Sequence, residues 1–234
     1  LGVGSSGMKN VLGIYQADTE NSRSCLNLLN DLEKRGLPES GLIFVVDGGS
    51  GLNKALNEKY LVDDKKNRRA IRIRCYVHKW RNIEKVLGAE SHKALGLFWA
   101  LRDAKDLAEA KVVSDRLESV LRDLNLSALS SYLEAKEDLL VIHELKLSKE
   151  LKTFFSTTNP IESLNYLIEE DMRRVKRWKD SEHFQRWCAT FCLAAEKRMR
   201  KVRGYRSLPA LWILLRKLTE QNDVDTNQEI NEVA

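Results

Sequence analysis

The run GLIFVVDGGSGL, Gly41 to Leu52, constrains this chain more than any other. Leu42 to Val46 is a run of apolar and β-prone residues too short for a helix, and Asp47 follows with Gly48, Gly49 and Gly51 close behind. The pattern predicts a buried strand ending in a carboxylate. In α/β folds, ligands gather where strands end, and glycines there let a ligand approach the backbone. Asp-Gly is equally a turn signal, so the acid has two readings at this point: metal or phosphate chemistry, or a turn.

The surrounding pattern decides the fold class. Residues 1–18 read as two short strands reversed by Gly4 to Gly7, and Thr19 to Arg35 reads as an amphipathic helix with Thr19 or Asn21 as cap and Gly36 as stop. After the strand to Asp47 come a helix from Gly51 to Tyr60, a charged turn over 63–69, and a strand from Ala70 to Val77, in which Ile71, Ile73 and Cys75 alternate with Arg72 and Arg74. This order of strands and helices predicts a mixed α/β core. From Trp80 to Glu150 apolar residues recur every three or four positions (Phe98, Leu101, Leu117, Leu121, Tyr132) and no strand is visible, which predicts an all-helical insertion.

STTNPIESLN, Ser156 to Asn165, opens a new helix, with Asn159 suited to the cap and Pro160 to the first helical position. Glu162 stands three residues after Asn159, so the residues alone allow it to be the acid of a capping box. A further helix is expected from Ser181 to Arg203, with Phe184, Trp187, Cys188, Phe191 and Ala195 inward, and a last one from Ser207 to Thr219. The expected division is 1–79 for the strand-bearing core, 80–150 for the helical insertion, 151–220 for the helices that complete the core, and 221–234 for a flexible tail. Cys25, Cys75, Cys188 and Cys192 are expected as free thiols, since four cysteines in 234 residues make no disulfide framework.

A net charge of +5 conceals an asymmetry: residues 172–206 carry twelve Lys or Arg against three acids, a net +9, and the rest of the chain is −4. A basic block interleaved with Trp178, Trp187 and Tyr205 is the footprint expected for a polyanion such as DNA, although a solvated basic helix face has the same composition. There is no run of about 18 apolar residues and no signal-peptide layout, which argues against membrane insertion and secretion and for a cytoplasmic protein.

Three pieces in fixed order, VVDGGSGL, RCYVHKWRN (Arg74 to Asn82), and TTNPIESLN followed by RRVKRWKDSEHFQRW, resemble the Mutator-like family of bacterial insertion-sequence transposases. The resemblance covers nearly the whole chain. It implies a ribonuclease H-like core carrying an Asp-Asp-Glu triad that holds two divalent cations, Mg²⁺ or Mn²⁺, for DNA cleavage and strand transfer by a homo-oligomer. By motif match Asp47 would be the second Asp and Glu162 the Glu, as catalytic and metal-holding residues. The family's Cys-x-x-His feature falls on Cys75 and His78, without the further ligands of a four-coordinate zinc site.

The first Asp is expected on a strand upstream of Leu1, with Asp18 and Asp31 poor substitutes. The core thus reads as truncated and the chain as an inactive fragment, or as a gene whose start is lost or miscalled. Lys79, Arg81, Arg173, Arg174, Lys176, Arg177, Lys179, Arg198, Lys201 and Arg203 are the expected DNA contacts. The rival expectations are a non-catalytic DNA-binding protein derived from a transposase and a structure-specific nuclease on the same fold.

Overall fold

A parallel pair of strands stands at the centre of the strand-bearing half. β3 (Leu42–Val46) and β4 (Ala70–Arg74) pair in register from Leu42 opposite Ala70 to Val46 opposite Arg74. The structure, a computed structural model, describes residues 1–17, 19, 21–61 and 68–220. Asp18, most of the charged turn and the 221–234 tail lie outside them.

The N-terminal hairpin forms with strands of two residues each: β1 (Gly2–Val3) pairs antiparallel with β2 (Lys9–Asn10), and Gly7 N–H closes the turn on Gly4 C=O. α1 (Ser22–Lys34) starts at Asn21, whose side chain accepts from Ser24 N–H, and stops at Gly36 with φ +99°. α2 (Ser50–Lys59) follows β3 and packs on α1. Leu29, Val46, Ala55, Leu56, Tyr60 and Ala70 close a first core between these elements.

The strand expected to run to Val77 stops at Arg74, and α3 (Tyr76–Leu87) begins one residue beyond Cys75. Tyr76 is the reason. Its side chain is fully buried, its hydroxyl donates to Leu139 C=O at 2.7 Å, and its N–H goes to Ser156 C=O at 2.9 Å. The backbone groups of a continuing strand would have had no partner there, whereas a helix supplies its own. The helical segment thus starts before Trp80.

α4 (His92–Asp103), α5 (Leu107–Leu124) and α6 (Leu126–Glu144) pack in series, and α6 folds back onto both α3 and β4. Phe98, Leu101, Leu117, Leu121, Tyr132 and Leu139 are fully buried in a second core that also takes in Ile71 and Ile73 of β4. The helical stretch therefore shares its interior with the sheet. Asp106 and Asn125 cap α5 and α6.

α7 (Lys149–Phe155) leads into α8 (Asn159–Met172), which packs against α9 (Ser181–Arg198), and α10 (Leu208–Glu220) ends the described chain. α9 stops five residues before Arg203. Val202 N–H donates to Gly7 C=O of the hairpin turn instead of to the helix, and Lys9 Nζ reaches Arg200 C=O. Only Cys192 and Ala195 of α9 are buried, and Trp187, expected inward, is 39% exposed. None of the four cysteines is in a disulfide. No described helix is long and apolar enough to cross a membrane.

Candidate active site and nucleic-acid interface

The two strands of the parallel pair end side by side. Cys75 N–H donates to Val46 C=O at 2.8 Å, so Asp47 and Cys75 leave the sheet as neighbours at its C-terminal edge. Asp47 is exposed, and its Oδ1 accepts from Gly49 N–H at 3.0 Å. The turn chemistry of Asp-Gly is thus realised, and Oδ2 accepts no bond from a described residue.

Gly48 has φ +104°, and the space where a Cβ would stand is filled by the Arg74 guanidinium, 2.0 Å from that position. Arg74 is 4% exposed and pairs with Glu134 of α6 at 3.2 and 3.3 Å; its Nε has no partner among the described residues. Lys79 Nζ joins the same carboxylate at 2.7 Å and donates to Ser131 C=O at 2.9 Å. Burial opposes ionisation of Glu134, but the Lys79 hydrogen bond and the Arg74 charge outweigh it and hold the carboxyl below its ordinary range. Lys79, expected as a phosphate contact, is only 2% exposed and committed to α6. It braces the site from beneath. Arg81, two residues on, is exposed.

Glu162 reaches the same edge through Thr158, Cys75 and His78. Thr158 N–H donates to Cys75 Sγ at 3.4 Å, tying the start of α8 to the end of β4. Thr158 Oγ1 lies 2.9 Å from Glu162 Oε1, 3.1 Å from His78 Nδ1 and 3.3 Å from Cys75 Sγ. A hydroxyl has one hydrogen, and the carboxylate is its nearest and strongest acceptor. The consistent arrangement is His78 Nδ1–H donating to Thr158 Oγ1, which donates to Glu162 Oε1. The second oxygen of Glu162 is then uncommitted, with the side chain 43% exposed.

The capping box weighed for Asn159 and Glu162 does not form. Thr158 is the cap residue, no side chain caps it, and Glu162 uses its carboxylate on the Thr158 hydroxyl. A carboxylate in the first turn of α8 also complements the helix dipole. Asp47 and Glu162, 115 residues apart in sequence, are thus brought to one sheet edge, with Cys75 and His78 as the link. Among the described residues no group of three or more His, Cys, Asp and Glu converges as a metal-holding cluster. Asp31 lies within α1, and Asp18 is outside the described residues.

The basic block divides into paired and open cations. Arg173 lies 3.8 Å from Glu169, Arg174 3.7 Å from Asp171, and Arg198 3.5 Å from Glu170. Lys201 sits over the Tyr205 ring at 5.0 Å. Lys176, Arg177, Lys179 and Arg203 are exposed, with no carboxylate within 4 Å among the described residues. Sequence reasoning missed Thr158, Arg74 and Glu134. Thr158 was accessible to it, since a hydroxyl four residues before Glu162 falls on the same helix face.

The model of the transposase Mutator family matches residues 1–198. The chain belongs to this family. It is 27% identical over 191 residues to the transposase for insertion sequence element IS905 of Lactococcus lactis subsp. lactis, spanning 81% of this chain and 46% of that protein. It is 28% identical over 165 residues to the transposase for element IS6120 of Mycolicibacterium smegmatis, spanning 70% and 48%. With the transposase for element IST2 of Acidithiobacillus ferrooxidans the identity is 27% over 202 residues, spanning 85% and 64%. The Mutator chain described here therefore spans about half to two thirds of the curated relatives it matches.

Proposed function

We propose that this chain carries catalytic residues of an insertion-sequence transposase, with Asp47 and Glu162 as two carboxylates of an Asp-Asp-Glu site on a ribonuclease H-like core. The observation that carries the reading is that the segments bearing these two acids meet at one end of a parallel strand pair, through the Cys75–Val46, Thr158–Cys75 and Thr158–Glu162 hydrogen bonds. The donor chemistry fits Mg²⁺ or Mn²⁺: both groups are hard oxygen ligands, and each keeps one oxygen free of described partners. When bound, such cations lower the pKa of an attacking water and stabilise the leaving oxygen of a phosphodiester.

The chain's own residues hold and orient. Gly49 N–H fixes the Asp47 carboxylate through one oxygen, and Thr158 with His78 does the same for Glu162. Lys176, Arg177, Lys179 and Arg203 supply salt-sensitive contacts to the DNA backbone. In the whole protein, cleavage at the element's ends would be followed by attack of the freed 3′-hydroxyl on target DNA, in a homo-oligomer that holds both ends.

The lack of a third carboxylate among the described residues favours a second reading for the chain by itself, binding DNA without cutting it. Titration with Mn²⁺, read by electron paramagnetic resonance, tests the site independently of activity. Weak Mn²⁺ binding that falls at least fivefold in both Asp47→Asn and Glu162→Gln is expected. Binding that is unchanged in both variants would remove these residues from the metal site.

A further inference from the structure

Five rings run along one side of α9 and the loop before it. Trp178 packs on His183 (centroids 5.9 Å) and Phe184 (5.2 Å), His183 on Trp187 (6.3 Å), and Trp187 on Phe191 (5.2 Å, planes tilted 34°). His183, Trp187 and Phe191 are spaced four apart, so they rise along one face of the helix. This face lies beside the stripe that α9 buries, which runs through Cys192 and Ala195.

Trp187 is held as well as exposed. Its Nε1–H donates to His183 Nε2 at 2.8 Å, which fixes the orientation of the indole. A plain packing role would have hidden the ring, yet 39% of the residue is open to solvent. The same loop and the same helix carry Lys176, Arg177, Lys179 and Arg186, all exposed and none with a carboxylate within 4 Å among the described residues. A fixed aromatic face on a segment rich in open cations suits a ligand that brings both flat π-faces and negative charge. Duplex DNA brings the charge but keeps its base faces stacked inside. An unpaired strand brings both.

We infer that the Trp178–His183–Trp187–Phe191 ladder is a stacking platform for unpaired bases, so that this face prefers single-stranded or end-frayed DNA to intact duplex. The inference rests on the DNA reading above and specifies the form of DNA that this face takes. The open cations follow the strand's phosphates, and the indole of Trp187 stacks on a base presented between them.

Fluorescence polarisation with a labelled 20-nucleotide oligo-dT and a labelled 20-base-pair duplex tests it, using the full chain in its wild-type, Trp187→Ala and Trp187→Phe forms. Trp187→Ala is expected to weaken oligo-dT binding about tenfold and duplex binding less than twofold. Trp187→Phe, which keeps a stacking ring but loses the bond to His183, is expected within about threefold of wild type on oligo-dT. It also serves as the test variant if Trp187→Ala fails to fold by circular dichroism, the quenching of tryptophan fluorescence by oligo-dT being expected to be smaller in Trp187→Phe than in the wild type. Equal weakening on both DNAs, or unchanged oligo-dT binding, overturns the platform and leaves the DNA reading standing. Loss of self-association in sedimentation, with oligo-dT binding intact, overturns it in favour of an interface between copies. No binding of either DNA by the wild type at low salt overturns both readings.

Discussion

Gly48→Ala is the most demanding test of how the candidate site is built. At φ +104° an L-residue pays roughly 1–2 kcal/mol in backbone strain. The new methyl would also sit 2.0 Å from the Arg74 guanidinium, so Arg74 must leave its position. Arg74 is buried, but its partner Glu134 is 53% exposed at the side chain, which limits loss of the ion pair to about 1 kcal/mol. The expected destabilisation is about 2–3 kcal/mol, read as a fall in the urea midpoint of roughly 0.8 M for a slope near 3 kcal/mol/M. The decisive comparison is a double-mutant cycle with Arg74→Ala. Without the guanidinium the methyl has room, and Gly48→Ala should then cost only the backbone term. The coupling is expected at about 1 kcal/mol, with the double variant more stable than the two singles predict. If the two effects add to within about 0.5 kcal/mol, the packing of Arg74 beneath Gly48 has no energetic weight and the reasoning fails.

Two further outcomes follow from groups placed elsewhere in the structure. Burial, then the Lys152 charge, push His143 down to about 4, so it is neutral when folded and takes a proton readily only when unfolded. The unfolded chain therefore binds more protons as pH falls below about 6.5, and stability drops by about 2–3 kcal/mol between there and pH 4. Glu134 and Asp103, whose carboxyls are held low, lose their contribution only at lower pH, whereas burial lowers the Leu1 amino group and raises the Asp138 carboxyl, so the difference between wild type and His143→Gln in urea midpoints at pH 7 and 5 isolates the histidine. A flat profile in the wild type, or one as steep in His143→Gln, would count against it. Lys79→Gln should lower stability by roughly 1–3 kcal/mol and leave the salt dependence of DNA binding unchanged, because the ammonium is spent on Glu134 and Ser131. Arg177→Gln should do the reverse, reducing the slope of log K against log salt by about one and moving the urea midpoint hardly at all.

What could be read beforehand was what local pattern controls. The LIFVV strand, the Asn21 cap, the Gly36 stop and the helical stripes around Phe98 and Leu117 are set by residues within a few positions of one another, and each forms as expected. Three features set by distant partners were not readable. The strand through Cys75 gives way to a helix because Tyr76 finds Leu139 and Ser156, which lie 63 and 80 residues on. α9 ends early because Gly7, at the other end of the chain, accepts from Val202. Lys79 followed a strand-end motif rich in cations, and only the return of α6 shows that Glu134 claims it. The motif pointed to Asp47 and Glu162; the hydroxyl that joins Glu162 to Cys75 depends on the fold.

The return of α6 also changes what the helical segment is for. Its Glu134 holds the two cations beneath the Asp47 turn, its Leu139 C=O receives the Tyr76 hydroxyl that starts α3, and its Asp138 takes Arg72 of β4 at 2.6 Å. The side chains that face the site from α3 and α8, His78 and Thr158, are positioned by the end of β4 and the start of α3. A shift of α6 would therefore reach Asp47 through Arg74 and Gly48, and Glu162 through Tyr76, Cys75 and Thr158. The helical segment is part of the scaffold on which the two carboxylates stand, because one route passes through the buried Arg74 and the other through Tyr76, which lies in the core it shares with β4.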